Sequence, residues 1–259
     1  MNEILRLGGV TKRFGGLVAV ADAAIAVTPG RIHGLIGPNG AGKSTTISII
    51  SGFLRADAGT IRFGEHDLHR MLPAAIAALG VARTFQQAAP LAGLSVFENL
   101  LVGMHRRYRS GLASVLLRAP RARWETREIA ASAWELLELF GLAPLADTDA
   151  RLLTFGQLRF LEIARAIAMR PRILLLDEPA AGLNQLERDR LATLIRRFRG
   201  EGIGMLLVDH DVPFVFDLCD EMTVMNFGSI IASGDPTTVR NDPQVRAAYL
   251  GADDVAGSG

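Results

Sequence analysis

The stretch GPNGAGKST, residues 37–45, sets three glycines ahead of a lysine and two hydroxyl residues. It fills every fixed position of the pattern G-x-x-x-x-G-K-[ST]. It also lies between an apolar strand-like run, RIHGLIG (31–37), and a helical run, TTISIISGFL (45–54), the context that pattern requires. Gly37, Gly40 and Gly42, interleaved with Pro38, Asn39 and Ala41, let the backbone curl so that successive N–H groups converge on phosphate oxygens. Lys43 carries a mobile charge toward the β- and γ-phosphates, and the Ser44 hydroxyl, followed by Thr45, can ligate Mg²⁺. A chance glycine-rich turn would not meet all of these conditions together. The chemistry is nucleotide binding.

A second group of residues completes such a site. In ILLLDEP (173–179) an apolar strand delivers Asp177 at its C-terminal end, the edge at which ligands bind in open α/β sheets. Asp177 can hold Mg²⁺ through water, and Glu178 comes next, placed to polarise an attacking water. Taken alone, Asp-Glu-Pro could be a helix-start turn that favours acids near N–H groups; the loop at 37–45 tips the balance toward chemistry. Gln86 follows VARTF (81–85) and His210 follows GMLLVD (204–209), each where a strand should end. A lone Gln or His there is usually a solvated turn residue, so these two gain weight only from their order relative to the other motifs.

Such residues need a rigid α/β frame. The strand runs RIHGLIG, PRILLLD (171–177), GMLLVDH (204–210) and EMTVMNF (221–227) read as a largely parallel, buried sheet. Residues 2–27, with LVAVADAAIAV (17–27), are more β-rich. Between about 88 and 168 the strand signal vanishes. There SVFENLLVGM (95–104) and WETREIAASAWELLELFGL (124–142) have helical spacing, with Ile129, Ala133, Leu137 and Phe140 on one face. A helical subdomain inserted in an α/β core is the expectation, with 252–259 as a frayed tail. The 259 residues, 49% of them hydrophobic, supply a packed core. Twenty-eight basic residues against 27 acidic ones give a net charge of +1, which argues against a nucleic-acid binder. The single Cys219 excludes an intrachain disulfide, and neither a signal peptide nor a spanning segment is expected.

Taken together, GPNGAGKST, RTFQQ, LTFGQLRFLEIARA, ILLLDEP, AGLN and LLVDH resemble the ATP-binding cassette of ABC transporters, over residues 3 to 251. The resemblance implies a P-loop cassette with a RecA-like parallel-sheet core, an N-terminal antiparallel β subdomain and an inserted helical signature subdomain. It implies ATP and Mg²⁺ as cofactors, and two cassettes facing head to tail. Thr154, Phe155, Gly156 and Gln157 would then bind the nucleotide held by the partner cassette. Phe14 matches the aromatic that stacks on adenine, Gln86 the glutamine that senses Mg²⁺ and water, Glu178 the catalytic carboxylate, and His210 the histidine contacting γ-phosphate. Metal ligation falls to Ser44, Gln86 and Asp177. AGLN (181–184) matches the loop between the two sites.

Three departures narrow the resemblance. Thr154 and Phe155 replace Ser and Gly of the common Leu-Ser-Gly-Gly-Gln signature, and Asn184 stands where Asp is usual. Phe155 gives up one freely turning backbone position. With the ending NFGSIIASGDPTTVRNDPQVRAAYLG, these features look like the cassettes of hydrophobic and branched-chain amino-acid importers, although Gln185 replaces the proline usual there. The implied partners are a second cassette, identical or not, two membrane permease subunits and, indirectly, a periplasmic solute-binding protein, with no nucleic acid. The implied location is peripheral, on the cytoplasmic face of the inner membrane. An export cassette of the lipopolysaccharide type and a soluble ABC ATPase are the competing readings. A small-molecule P-loop kinase would have no use for LTFGQ or His210. The Arg-rich segment 105–127 fits either a solvated helix face or a patch near the permease or anionic headgroups.

Overall fold

The computed structural model describes residues 4–84, 90–91, 93–105 and 120–256. They form two compact units, Met1–Arg83 with Arg172–Gly259, and Thr84–Pro171. The first unit holds a ten-stranded sheet built in two styles.

Strands β1 (Leu5–Phe14) and β2 (Leu17–Val27) pair antiparallel, as do β1 and β4 (Ala58–Phe63), and β4 and the short β5 (His66–Asp67). Along β2, Ala23, Ile25 and Val27 are buried in the alternation of a strand with one side on the core, and an irregularity in the pairing with β1 between Val20 and Ala23 shifts the phase so that Val20 is buried too. The other style is parallel: β9 (Glu221–Asn226), β3 (Ile32–Ile36), β8 (Gly204–Val208), β7 (Ile173–Asp177) and β6 (Val81–Arg83) lie side by side in that order. Every residue of β3, β7 and β8 is buried, which is why these segments read as unbroken apolar runs. Strand β10 (Ser229–Gly234) runs antiparallel to β9 and joins the two styles through its pairing with β2.

Helices connect the strands. The first unit carries α1 (Lys43–Ile50) and α2 (Pro73–Leu79). The second unit carries α3 (Val96–Gly103), α4 (Pro120–Leu139) and α5 (Phe155–Ala168). On α4 and just beyond it, Ile129, Ala133, Leu137 and Phe140 are all buried, the face their spacing predicts, and Phe140 meets Phe160 of α5 edge-on at 6.4 Å. The end of α3 approaches α5 closely: a Cβ on Gly103 would lie 2.7 Å from the Arg165 carbonyl, so only glycine fits there. The remaining helices are α6 (Gln185–Gly200), α7 (Val212–Leu218), α8 (Pro236–Asn241) and α9 (Pro243–Ala256). Helix α9 continues through 252–256, part of the stretch expected as a tail. Among the described residues no helix is long and apolar enough to cross a membrane. Of the Arg-rich segment, 106–119 lie outside the described residues.

Candidate nucleotide-binding site

The loop between β3 and α1 is shaped by glycines that admit no other residue. Gly37 has φ +152°, and a Cβ there would sit 2.1 Å from the Met225 carbonyl oxygen. Gly42 has φ +106°, and a Cβ would fall 2.4 Å from the Ala19 carbonyl oxygen. Gly42 is also the N-cap of α1, and no side chain caps that helix. The first amides of α1 therefore keep their appetite for an anion, reinforced by the helix dipole. Lys43 is buried at the head of the helix, where its Nζ donates to the carbonyls of Gly37 at 2.6 Å and Pro38 at 2.9 Å. Burial lowers its pKa, while the nearby carboxylates of Glu178 and Asp177 pull the other way. Ser44 is exposed and Thr45 half-buried on the same turn. A tight cradle of backbone donors, a lysine and an exposed hydroxyl fit a phosphate chain with its divalent cation.

Asp177 closes β7 with no exposed surface, and its Oδ2 accepts from Arg83 Nη2 at 2.9 Å. A buried carboxylate of this kind is a hard-oxygen donor, suited to Mg²⁺ or to one of its waters. Glu178 follows with a left-handed backbone, φ +49°, unusual for a residue with a long side chain. Pro179 disfavours the α conformation at the preceding residue, and the Glu178 N–H is bound to the Val208 carbonyl at 2.7 Å, so the turn is fixed from both sides. His210 is exposed two residues past β8, its Nδ1 3.6 Å from Asp209 Oδ1. Phe14 ends β1, 47% exposed, with the Lys12 ammonium 5.4 Å from its ring centroid. Gln86 lies outside the described residues.

The second unit holds the four signature residues at the start of α5. Thr154 is the N-cap: its Oγ1 accepts from the Gln157 N–H at 3.4 Å, and Gln157 Oε1 accepts from the Thr154 N–H at 2.9 Å. This is a reciprocal capping box. Phe155 is the first helical residue, and neither it nor Gly156 has a positive φ. The turning freedom that Phe155 gives up is thus not called upon. Its half-exposed ring stands 5.6 Å from the guanidinium of Arg159, which is itself buried and paired with Glu162 at 2.9 Å. Asn184 of AGLN similarly caps α6 in a box with Glu187, and Gln185 donates to Asp189 at 2.8 Å, so proline is dispensable at 185.

Three further residues escape a reading of the sequence. Arg83 reaches Asp177 across 94 positions. Asp209 is buried and accepts from the N–H groups of Ala180 and Asp211, both at 3.0 Å, stitching the loop after Glu178 to the end of β8; burial pushes its carboxyl upward against these bonds. Tyr249 of α9 has its hydroxyl pushed up to about 12 by burial, opposed by the Gly37 N–H. Beside the loop, a cavity of about 230 Å³ opens between Asn39, Phe227 and Ala247.

Residues 20–181 of the chain match the ABC transporter family model. The chain belongs to the ABC transporter ATP-binding cassettes. A second family model, the branched-chain amino acid ATP-binding cassette transporter, matches residues 229–255. The cassette is 41% identical over 249 residues to the high-affinity branched-chain amino acid transport ATP-binding protein BraF of Pseudomonas aeruginosa, covering 96% of this chain and 98% of the relative. Identity and coverage are the same for the corresponding Escherichia coli protein, LivG. Among solved structures, the ADP conformation of an ATP-binding cassette of an ABC transporter is 35% identical, with a TM-score of 0.82, over 96% of this chain and 99% of that one. The cassette is an ATP-hydrolysing transporter subunit of the importer type.

Proposed function

We propose that this cassette energises uptake of branched-chain amino acids. The observation that carries the cargo is the match of residues 229–255 to the branched-chain model, supported by the relatives named above. None of these residues would touch the solute, so the cargo rests on likeness and the ATPase on site chemistry.

In this reading the loop amides of 37–45 and Lys43 hold the phosphates and Phe14 stacks on adenine, and Ser44, Gln86 and Asp177 are the residues that would hold Mg²⁺. When bound there, Mg²⁺ would supply charge neutralisation for the phosphate chain. Glu178 accepts a proton from the attacking water as that water's oxygen bonds to the γ-phosphorus, and the bond to the ADP oxygen breaks. His210 donates to a γ-phosphate oxygen. A second cassette contributes its own Thr154 and Gly156. The Thr154 oxygen accepts from Gln157 N–H, and its O–H proton can still be donated to the partner's γ-phosphate. Binding of the two cassettes to paired permease subunits places the protein on the cytoplasmic face of the membrane, supplied by an external solute-binding protein.

The test is labelled leucine uptake at submicromolar supply, with and without the gene. Loss of uptake, restored by the wild-type gene, is expected. Undiminished uptake in a strain lacking any substitute cassette rejects leucine as cargo and leaves the ATPase standing.

A further inference from the structure

We propose that Arg83 is a positioning residue for divalent-cation binding, fixing Asp177 relative to the helix that carries Ser44. Arg83 ends β6, next to β7 in the sheet, with its side chain largely buried. Its Nη2 donates to Asp177 Oδ2 at 2.9 Å. Its Nη1 donates to Ser48 Oγ at 3.2 Å and Ser51 Oγ at 3.1 Å. Its guanidinium carbon stands 5.7 Å from the Phe53 ring centroid. One planar fork therefore ties the end of β7 to α1. The two elements it joins are those that carry the candidate metal donors, Asp177 and Ser44.

The residue type is specific to the task. A guanidinium presents donors in a rigid plane, so holding the serines fixes the direction from which it meets the carboxylate. A lysine in its place keeps the charge but directs a single ammonium, which cannot serve carboxylate and serines with the same geometry. Changing a group that orients a metal ligand without touching the metal typically costs about 10- to 100-fold in metal affinity or activity. Arg83 should accordingly matter for the cation and not for the nucleotide alone.

The inference rests on the reading that Asp177 helps to hold Mg²⁺, and the experiment separates the two. The purified chain and its Arg83→Gln, Arg83→Lys and Asp177→Asn variants are saturated with ADP, and Mn²⁺ binding is followed by the electron paramagnetic resonance of the free ion. A fluorescent ATP analogue is titrated in parallel in EDTA. Arg83→Gln is expected to weaken Mn²⁺ binding by roughly 10- to 100-fold, Arg83→Lys by less, with affinity for the analogue in EDTA unchanged in both. Unchanged or tighter Mn²⁺ binding in Arg83→Gln overturns the proposal, as does an equal loss of analogue affinity in EDTA, which would mark Arg83 as general scaffolding. Should Arg83→Gln not fold, Arg83→Lys decides by the same criteria. If Asp177→Asn keeps full Mn²⁺ affinity, the metal role of Asp177 itself fails; if it loses affinity while Arg83→Gln does not, only the present inference fails.

Discussion

At the scale of single residues, the site sets groups with different duties next to one another. With Glu178 as the proposed base, Glu178→Gln keeps the shape of the carboxylate and removes its basicity, so ATP turnover should fall roughly 10²- to 10⁴-fold while ATP still binds. An ATP-stabilised dimer should then elute early in size-exclusion chromatography, and near-normal turnover would refute the role given to Glu178. His33 gives a pH signature of its own. Burial lowers its pKa, against the raising influence of Glu221, and its Nε2 pairs with Thr223 at 2.9 Å. As pH falls below the ordinary histidine value of about 6.5, the unfolded chain takes up a proton at this position that the folded chain resists. Its contribution to stability is therefore complete above that pH and declines below it. Comparing denaturant midpoints of the wild type and His33→Gln between neutral and mildly acid pH should show a shallower decline in the variant. Parallel curves would mean that His33 contributes nothing to the slope.

Two helix starts separate the elements of the site. Helix α1 begins on a glycine with no side-chain cap, whereas α5 begins on a threonine whose capping box satisfies the Thr154 and Gln157 amides. Gly42→Ala should collapse the first arrangement, because its Cβ would strike the Ala19 carbonyl at a φ that alanine rarely adopts. The measurable result is loss of binding of a fluorescent ATP analogue together with a lower melting temperature. An alanine variant that binds normally would show the loop to be far more pliable than its contacts imply. Spacing made this loop, the apolar strands β3, β7 and β8, and the buried face of α4 legible, because each is encoded within a dozen consecutive residues. The ties made by Arg83, Asp209 and Tyr249 were not legible, since each joins positions far apart in the chain and no local pattern marks the partner. Arg83 carried one faint signal: a charged residue at the end of an otherwise apolar strand run, VAR. The expected penalty of Phe155 disappeared because the residue opens a helix, which asks for no special backbone angle.

At the scale of the whole molecule, the signature residues of one chain are proposed to serve the nucleotide of another. Lys43→Ala impairs the loop, and Gly156→Asp places a negative charge where a partner's γ-phosphate should approach. Each variant alone should be nearly inactive, and mixing them should restore up to one intact composite site per dimer, read as regained phosphate release. Full activity of Gly156→Asp by itself would refute the signature assignment. Rescue that appears only with a second, different cassette would identify a heterodimer. Glu178 also bears on the molecule as a whole, through its left-handed backbone. A long side chain on such a backbone weighs against the native state, whereas asparagine tolerates it better. Glu178→Asn should therefore melt higher than the wild type, by an amount equivalent to about 1 kcal/mol, while hydrolysing almost no ATP. A lower melting point would show that the native turn is not strained. If the gain is seen and turnover is lost with it, selection has kept a less durable protein for the sake of its chemistry, and a screen for thermal robustness alone would discard the residue proposed to drive turnover.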